Sequence, residues 1–200
     1  MRLSALRLLA ALTTAAAPLA VRAQDTTSRV VIRPWLASSV GLGSMTSLCS
    51  RCGYDTGTSP YGGGALDGTV GLTVTRHLAV GVRRLDFGAL VIDGPSRHAT
   101  FTMVEAEYLP PDREWGALRI GVGRGAIDDG GIPAHAKGLA LGVGGSLRGV
   151  VNASHFAFTL SADWHETVNG RISGRSLGPE SLRGRVLSVG VGVEGWFARY

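Results

Sequence analysis

An alternation of apolar and polar residues with a period of two recurs through most of the chain, and it constrains the fold more than any other feature. Leu66, Val70, Leu72 and Val74 fall on one side together with Gly68, while Asp67, Thr69, Gly71, Thr73 and Thr75 fall on the other. Near the C-terminus, Leu187, Val189, Val191, Val193 and Phe197 alternate with Ser188, Gly190, Gly192, Glu194 and Trp196. A helix would bring both sets onto one surface, whereas a strand separates them. The 30 glycines also disfavour long helices.

Eight such segments are expected, at residues 31–44, 65–75, 78–87, 99–109, 117–126, 139–150, 156–165 and 185–197. Each is near the ~9–11 residues with which a tilted strand crosses a bilayer. The connections alternate in length. Residues 76–77, 110–116 and 151–155 make short turns, while residues 45–64, 88–98, 127–138 and 166–184 make longer ones rich in Gly, Pro, Ser and charge. An even strand number puts both termini of the barrel on the short-turn side. The predicted fold is all-β, a closed antiparallel up-and-down transmembrane barrel of about eight strands.

The first 23 residues read as a signal peptide. Arg2 and Arg7 precede the apolar run Leu8–Leu19, and Val21-Arg22-Ala23 supplies a cleavage site, so the mature domain is expected to span residues 24–200. The leader holds Arg2, Arg7 and Arg22 and no acid, which reduces the formal charge of +5 to +2. That near balance gives no case for nucleic acid. Cys49 and Cys52, in the first long loop of an exported chain, are candidates for a local disulfide. They do not make a zinc site, because no second cysteine pair or clustered histidine completes the ligand set.

If the apolar set faces lipid, the opposite face collects most of the charge in the strands. It holds Arg33, Asp67, Arg83, Glu105, Glu107, Arg119, Arg148, Asp163 and Glu194. A charge facing mid-bilayer lipid costs roughly 2–4 kcal/mol. Arg84 and Arg124 break the phase and are expected near the long-loop ends. Four arginines and five acids inside a narrow barrel read as an interlocked polar network, with inward glycines making room for the long side chains. Glu107 and Arg119, equally spaced about Arg113, are expected to pair. Aromatic residues give a second signal. Trp35, Tyr108, Trp115, Phe156, Trp196 and Phe197 fall at short-turn ends, and Phe87, Phe101 and Trp164 at long-loop ends, with Phe158 a little deeper. Rings favour the two membrane interfaces.

With the leader, the alternation, the loop asymmetry and the closing segment Val189-Gly190-Val191-Gly192-Val193-Glu194-Gly195-Trp196-Phe197, the chain resembles the small bacterial outer-membrane β-barrels, similar to the eight-stranded adhesion and attachment barrels. The resemblance implies residence in the outer membrane. It also implies outer-membrane lipid as one partner and the barrel-assembly machinery, through the C-terminal strand, as another. Phe197 or Tyr200 would be the terminal aromatic of the assembly signal, and Phe197 alone keeps phase with the valines.

The expected role is non-enzymatic, structural or surface-interacting, with long extracellular loops, a polar plugged interior and no cofactor. A lipid-modifying enzyme, a small-solute channel and a soluble lipocalin-like barrel are the alternatives. The first needs a nucleophile beside a base, and the best acid–His pair is Asp163 with His165, expected at the outer rim. The lipocalin-like barrel needs an apolar interior, opposite to the phase read here. Gly121-Val122-Gly123-Arg124-Gly125 lacks the spacing of a phosphate loop and has no helix after it.

Overall fold

The computed structural model describes residues 32–49, 60–90, 96–111, 115–129, 134–150, 156–173 and 181–196. They form eight strands: β1 (Arg33–Cys49), β2 (Tyr61–Thr75), β3 (Leu78–Ala89), β4 (Arg97–Tyr108), β5 (Gly116–Asp129), β6 (Ala134–Val150), β7 (Phe156–Ser173) and β8 (Ser181–Trp196). Each strand pairs antiparallel with the next, and β8 returns to β1 from Trp35↔Trp196 to Cys49↔Leu182, so the sheet closes on itself. Closure removes the free edges that an open sheet would expose. The expected leader, Cys52, the turn at Asp112 and Arg113, Phe197 and Tyr200 lie outside the described residues, as does the side chain of Cys49.

The side-chain phase follows the alternation. Leu72, Val122, Val143, Leu187 and Val191 are about half exposed on the outer face, while Asp67, Arg83, Glu105 and Glu194 are buried within. Such an apolar exterior around a polar interior inverts a water-soluble barrel and suits a lipid solvent.

The strands run further than expected on the long-loop side. β1 extends to Cys49, β2 begins at Tyr61, β6 begins at Ala134 and β7 continues to Ser173, leaving residues 50–60, 90–96, 130–133 and 174–180 between strands. The long loops expected at residues 127–138 and 166–184 are therefore mostly hairpin extension, and those at 45–64 and 88–98 are so in part. Beyond the membrane both faces of a strand meet water, so the outward apolar set ends while the backbone ladder continues. The extension is uneven. β6, β7, β8 and β1 have 17, 18, 16 and 17 residues, against 12 for β3 and 12 for β4. These four consecutive strands make a long wall.

The apolar belt is also uneven. On β6 it reaches from Leu147 to Leu139, whereas on β3, β4 and β5 it stops one row earlier, at Val82, Val104 and Val122. The next outward residues are Arg84, Thr102 and Arg124, which share one row of the sheet. Arg84 and Arg124 were expected near the strand ends. Both instead have five further strand residues beyond them, to Ala89 and Asp129.

Candidate functional site

The interior is layered. Next to the short turns, Trp35 and Trp196 face inward from paired positions on β1 and β8. The Arg148 guanidinium lies 5.7 Å from the Trp196 ring centroid, within cation–π range. Arg148 grips Glu194 with two bonds of 2.8 Å, from Nε and Nη2, and also donates to Glu107. All three side chains are buried. The fork of a guanidinium matches the two oxygens of a carboxylate, so this pairing fixes orientation as well as charge.

A second cluster lies further in. Arg83 holds Asp163 bidentately at 2.9 and 2.8 Å and also donates to Asp67, which accepts from Ser39 at 2.9 Å. Glu105 stands 3.7 Å from Arg83. Arg119 reaches the same Asp163 carboxylate at 3.0 and 3.2 Å. Local geometry explains that reach. Arg119, Gly144 and Asp163 share one row across β5, β6 and β7, and Gly144 lets the guanidinium pass over its strand. A Cβ at Gly144 would overlap the Asp163 carboxylate. Arg33, the remaining inward cation of the expected set, is half-buried at the start of β1.

Glu107 and Arg119 are register partners, as expected. They do not pair with each other. Glu107 takes Arg148 and Arg119 takes Asp163. Cross-strand adjacency brings backbones together, but long side chains choose among several strands inside a narrow barrel. A double-mutant cycle in lipid should therefore show coupling of about 1–3 kcal/mol between Glu107→Gln and Arg148→Met. The cycle of Glu107→Gln with Arg119→Met should come closer to additivity, and a larger coupling in that second cycle would contradict the assignment.

The third layer is apolar. Met45, Leu85, Phe87, Ala99, Phe101, Met103, Ile127, Ala140 and Val186 are buried together on the long-loop side of the charges. These residues add an apolar layer to the polar plug expected from the sequence. They also correct the aromatic pattern, because Trp35, Phe87, Phe101 and Trp196 face inward rather than joining interfacial belts. Tyr108, Trp115, Phe156, Phe158 and Trp164 are the outward aromatics among the described residues.

His165 was expected at the outer rim but is 1% exposed, with its ring centroid 5.3 Å from that of Phe101. Asp163 has both oxygens engaged by Arg83 and Arg119, so this acid is committed to structural pairing rather than to orienting a catalytic base. No group of residues with metal-ligating composition occurs among the described residues.

Solved structures with this architecture are known. Neisserial surface protein A superposes with a TM-score of 0.54 at 11% identity, over 81% of this chain and 97% of that one. The fold is that of the small eight-stranded outer-membrane barrels. Ail, the attachment invasion locus protein of Yersinia pestis, matches with a TM-score of 0.50 at 12% identity, over 80% of this chain and 97% of its own. No protein-family profile and no curated protein matches the sequence.

Proposed function

We propose that the protein is an exported, non-enzymatic resident of the bacterial outer membrane, a barrel closed to solutes that holds its extended hairpins at the cell surface. One observation carries this reading: an apolar exterior encloses an interior filled first by paired charges and then by an apolar layer. Such a barrel is a rigid mount, not a conduit. The wall formed by β6, β7, β8 and β1 supplies the surface for contact with other molecules. The likeness in fold to a Neisserial surface protein and to an attachment protein of Yersinia is consistent with a surface role. Cleavage after Ala23 and delivery to the assembly machinery through the C-terminal strand complete the route proposed for it.

A solute channel is disfavoured because two chemically different layers would have to open together. The purified protein in a planar bilayer should show no steady ion conductance, and unboiled samples should migrate differently from boiled ones on gels. Steady conductance of the wild type would overturn the closed reading. Absence from outer-membrane fractions would overturn the location.

A further inference from the structure

The interrupted belt on β3, β4 and β5 has its own chemistry. Its outward polar residues begin at Arg84, Thr102 and Arg124, in the row that neighbouring β6 fills with Leu139. Uncompensated charge on a lipid face is costly, more so toward the midplane. Arg84 is compensated. It holds Asp86 through bonds of 2.8 and 3.1 Å, and Asp86 also accepts from Thr100 at 2.8 Å.

Arg124 and Lys137 differ. Both are exposed, and neither has an ion-pair partner among the described residues. Arg124 is opposite Leu139, and Ala126 is opposite Lys137. The two cations are thus diagonal neighbours on one face of adjacent strands, with backbones about 7–8 Å apart. They flank an open groove of about 630 Å³ whose other lining includes Thr100, Thr102, Gly125 and Gly138. The acids nearby are Asp86, already engaged by Arg84, and Asp128, which lies one outward position beyond Ala126 and has an interaction of its own.

We infer that this groove binds the phosphate group of a membrane lipid in the leaflet on the long-loop side. A guanidinium presents a planar fork and an ammonium a point charge, and both suit phosphate oxygens. The Thr102 hydroxyl, in the same row as Arg124, adds a neutral donor. The cations sit where the apolar belt ends, so a lipid seated there keeps its acyl chains against Val122, Leu139 and Leu141. Charge and depth together select an anionic lipid over a soluble anion. The assignment rests on the reading of the barrel as an outer-membrane protein.

The test uses the full mature protein in phosphatidylcholine nanodiscs doped with diphosphorylated lipid A. Native mass spectrometry after release counts the lipids retained. Wild type should retain one lipid A. Arg124→Gln with Lys137→Gln should reduce retention about tenfold, the scale of one lost charge-assisted hydrogen bond. Lys137→Arg should retain it, as should Arg183→Gln, which removes an exposed cation on β8. Lipid A stripped of phosphate should not be retained. Equal retention by the double variant, equal retention of the stripped lipid, displacement by millimolar inorganic phosphate, or lipid-free dimers held through this face would each overturn the site. Heat-modifiable mobility and protease protection in the same discs report insertion separately. Their failure counts against the membrane reading, whereas failure of retention in an inserted barrel counts against the groove alone.

Discussion

Replacing Arg83 with alanine should cost about 3–5 kcal/mol in urea unfolding from lipid vesicles, because it strands buried carboxylates without their shared cation. Arg83 faces Asp67, Asp163 and Glu105, all of them buried, and Arg119 alone would remain to hold Asp163. A loss of that size is a large fraction of the stability of an ordinary domain, which is roughly 5–15 kcal/mol. Adding Asp67→Asn and Glu105→Gln should recover part of the loss, since the penalty lies in unpaired charge rather than in missing volume. A loss below about 1 kcal/mol for Arg83→Ala, or a further loss on adding the two amides, would show that the cluster is hydrated and weakly coupled.

Phe101→Ala should also cost about 3–5 kcal/mol, by emptying a packed site. Phe101 is fully buried, has its ring centroid 5.3 Å from that of His165 and lies in the layer with Leu85, Phe87 and Met103. The loss should come without ion conductance, because the charge-paired layers beneath it still block the barrel. Conductance in Phe101→Ala would make the apolar layer the sole barrier and assign the charges a role in conduction. The two substitutions therefore separate stability from closure, which a single-layer plug could not do.

The strand number and the phase of every strand were legible because lipid and interior impose opposite polarity on successive residues. A run such as Leu187 to Glu194 registers that contrast directly. Where the contrast fades, the reading failed. Above the membrane, outward residues such as Thr46 and Gly62 are no longer required to be apolar, so the ends of β1 and β2 looked like loop. Inside, Leu85, Phe87, Phe101, Met103 and Ile127 keep the phase of Arg83, Glu105 and Arg119. Alternation says which side a residue takes, not which residues from other strands meet it there. The apolar layer arises from β1, β3, β4, β5, β6 and β8 together and left no local sign.

Partner choice was hidden for a related reason. Glu107 and Arg119 lie on neighbouring strands at matching positions, and symmetry about the turn was enough to find that. The exchange of partners depends on Gly144 opening a path from Arg119 to Asp163 across an intervening strand. His165 was misplaced because β7 runs eight residues past it, to Ser173. In the proposed function these layers act together, closing the lumen while the outer face is left to lipid.

The most direct test is a spin-label scan along β8, from Leu187 to Glu194, of the protein inserted in lipid vesicles. Labels at Leu187, Val189, Val191 and Val193 should be accessible to oxygen dissolved in the bilayer. Labels at Ser188, Gly190 and Gly192 should be shielded from it, giving a period of two. The opposite phase, or uniform access to a water-soluble relaxant at every position, would contradict a barrel with lipid outside and a closed, charge-paired interior.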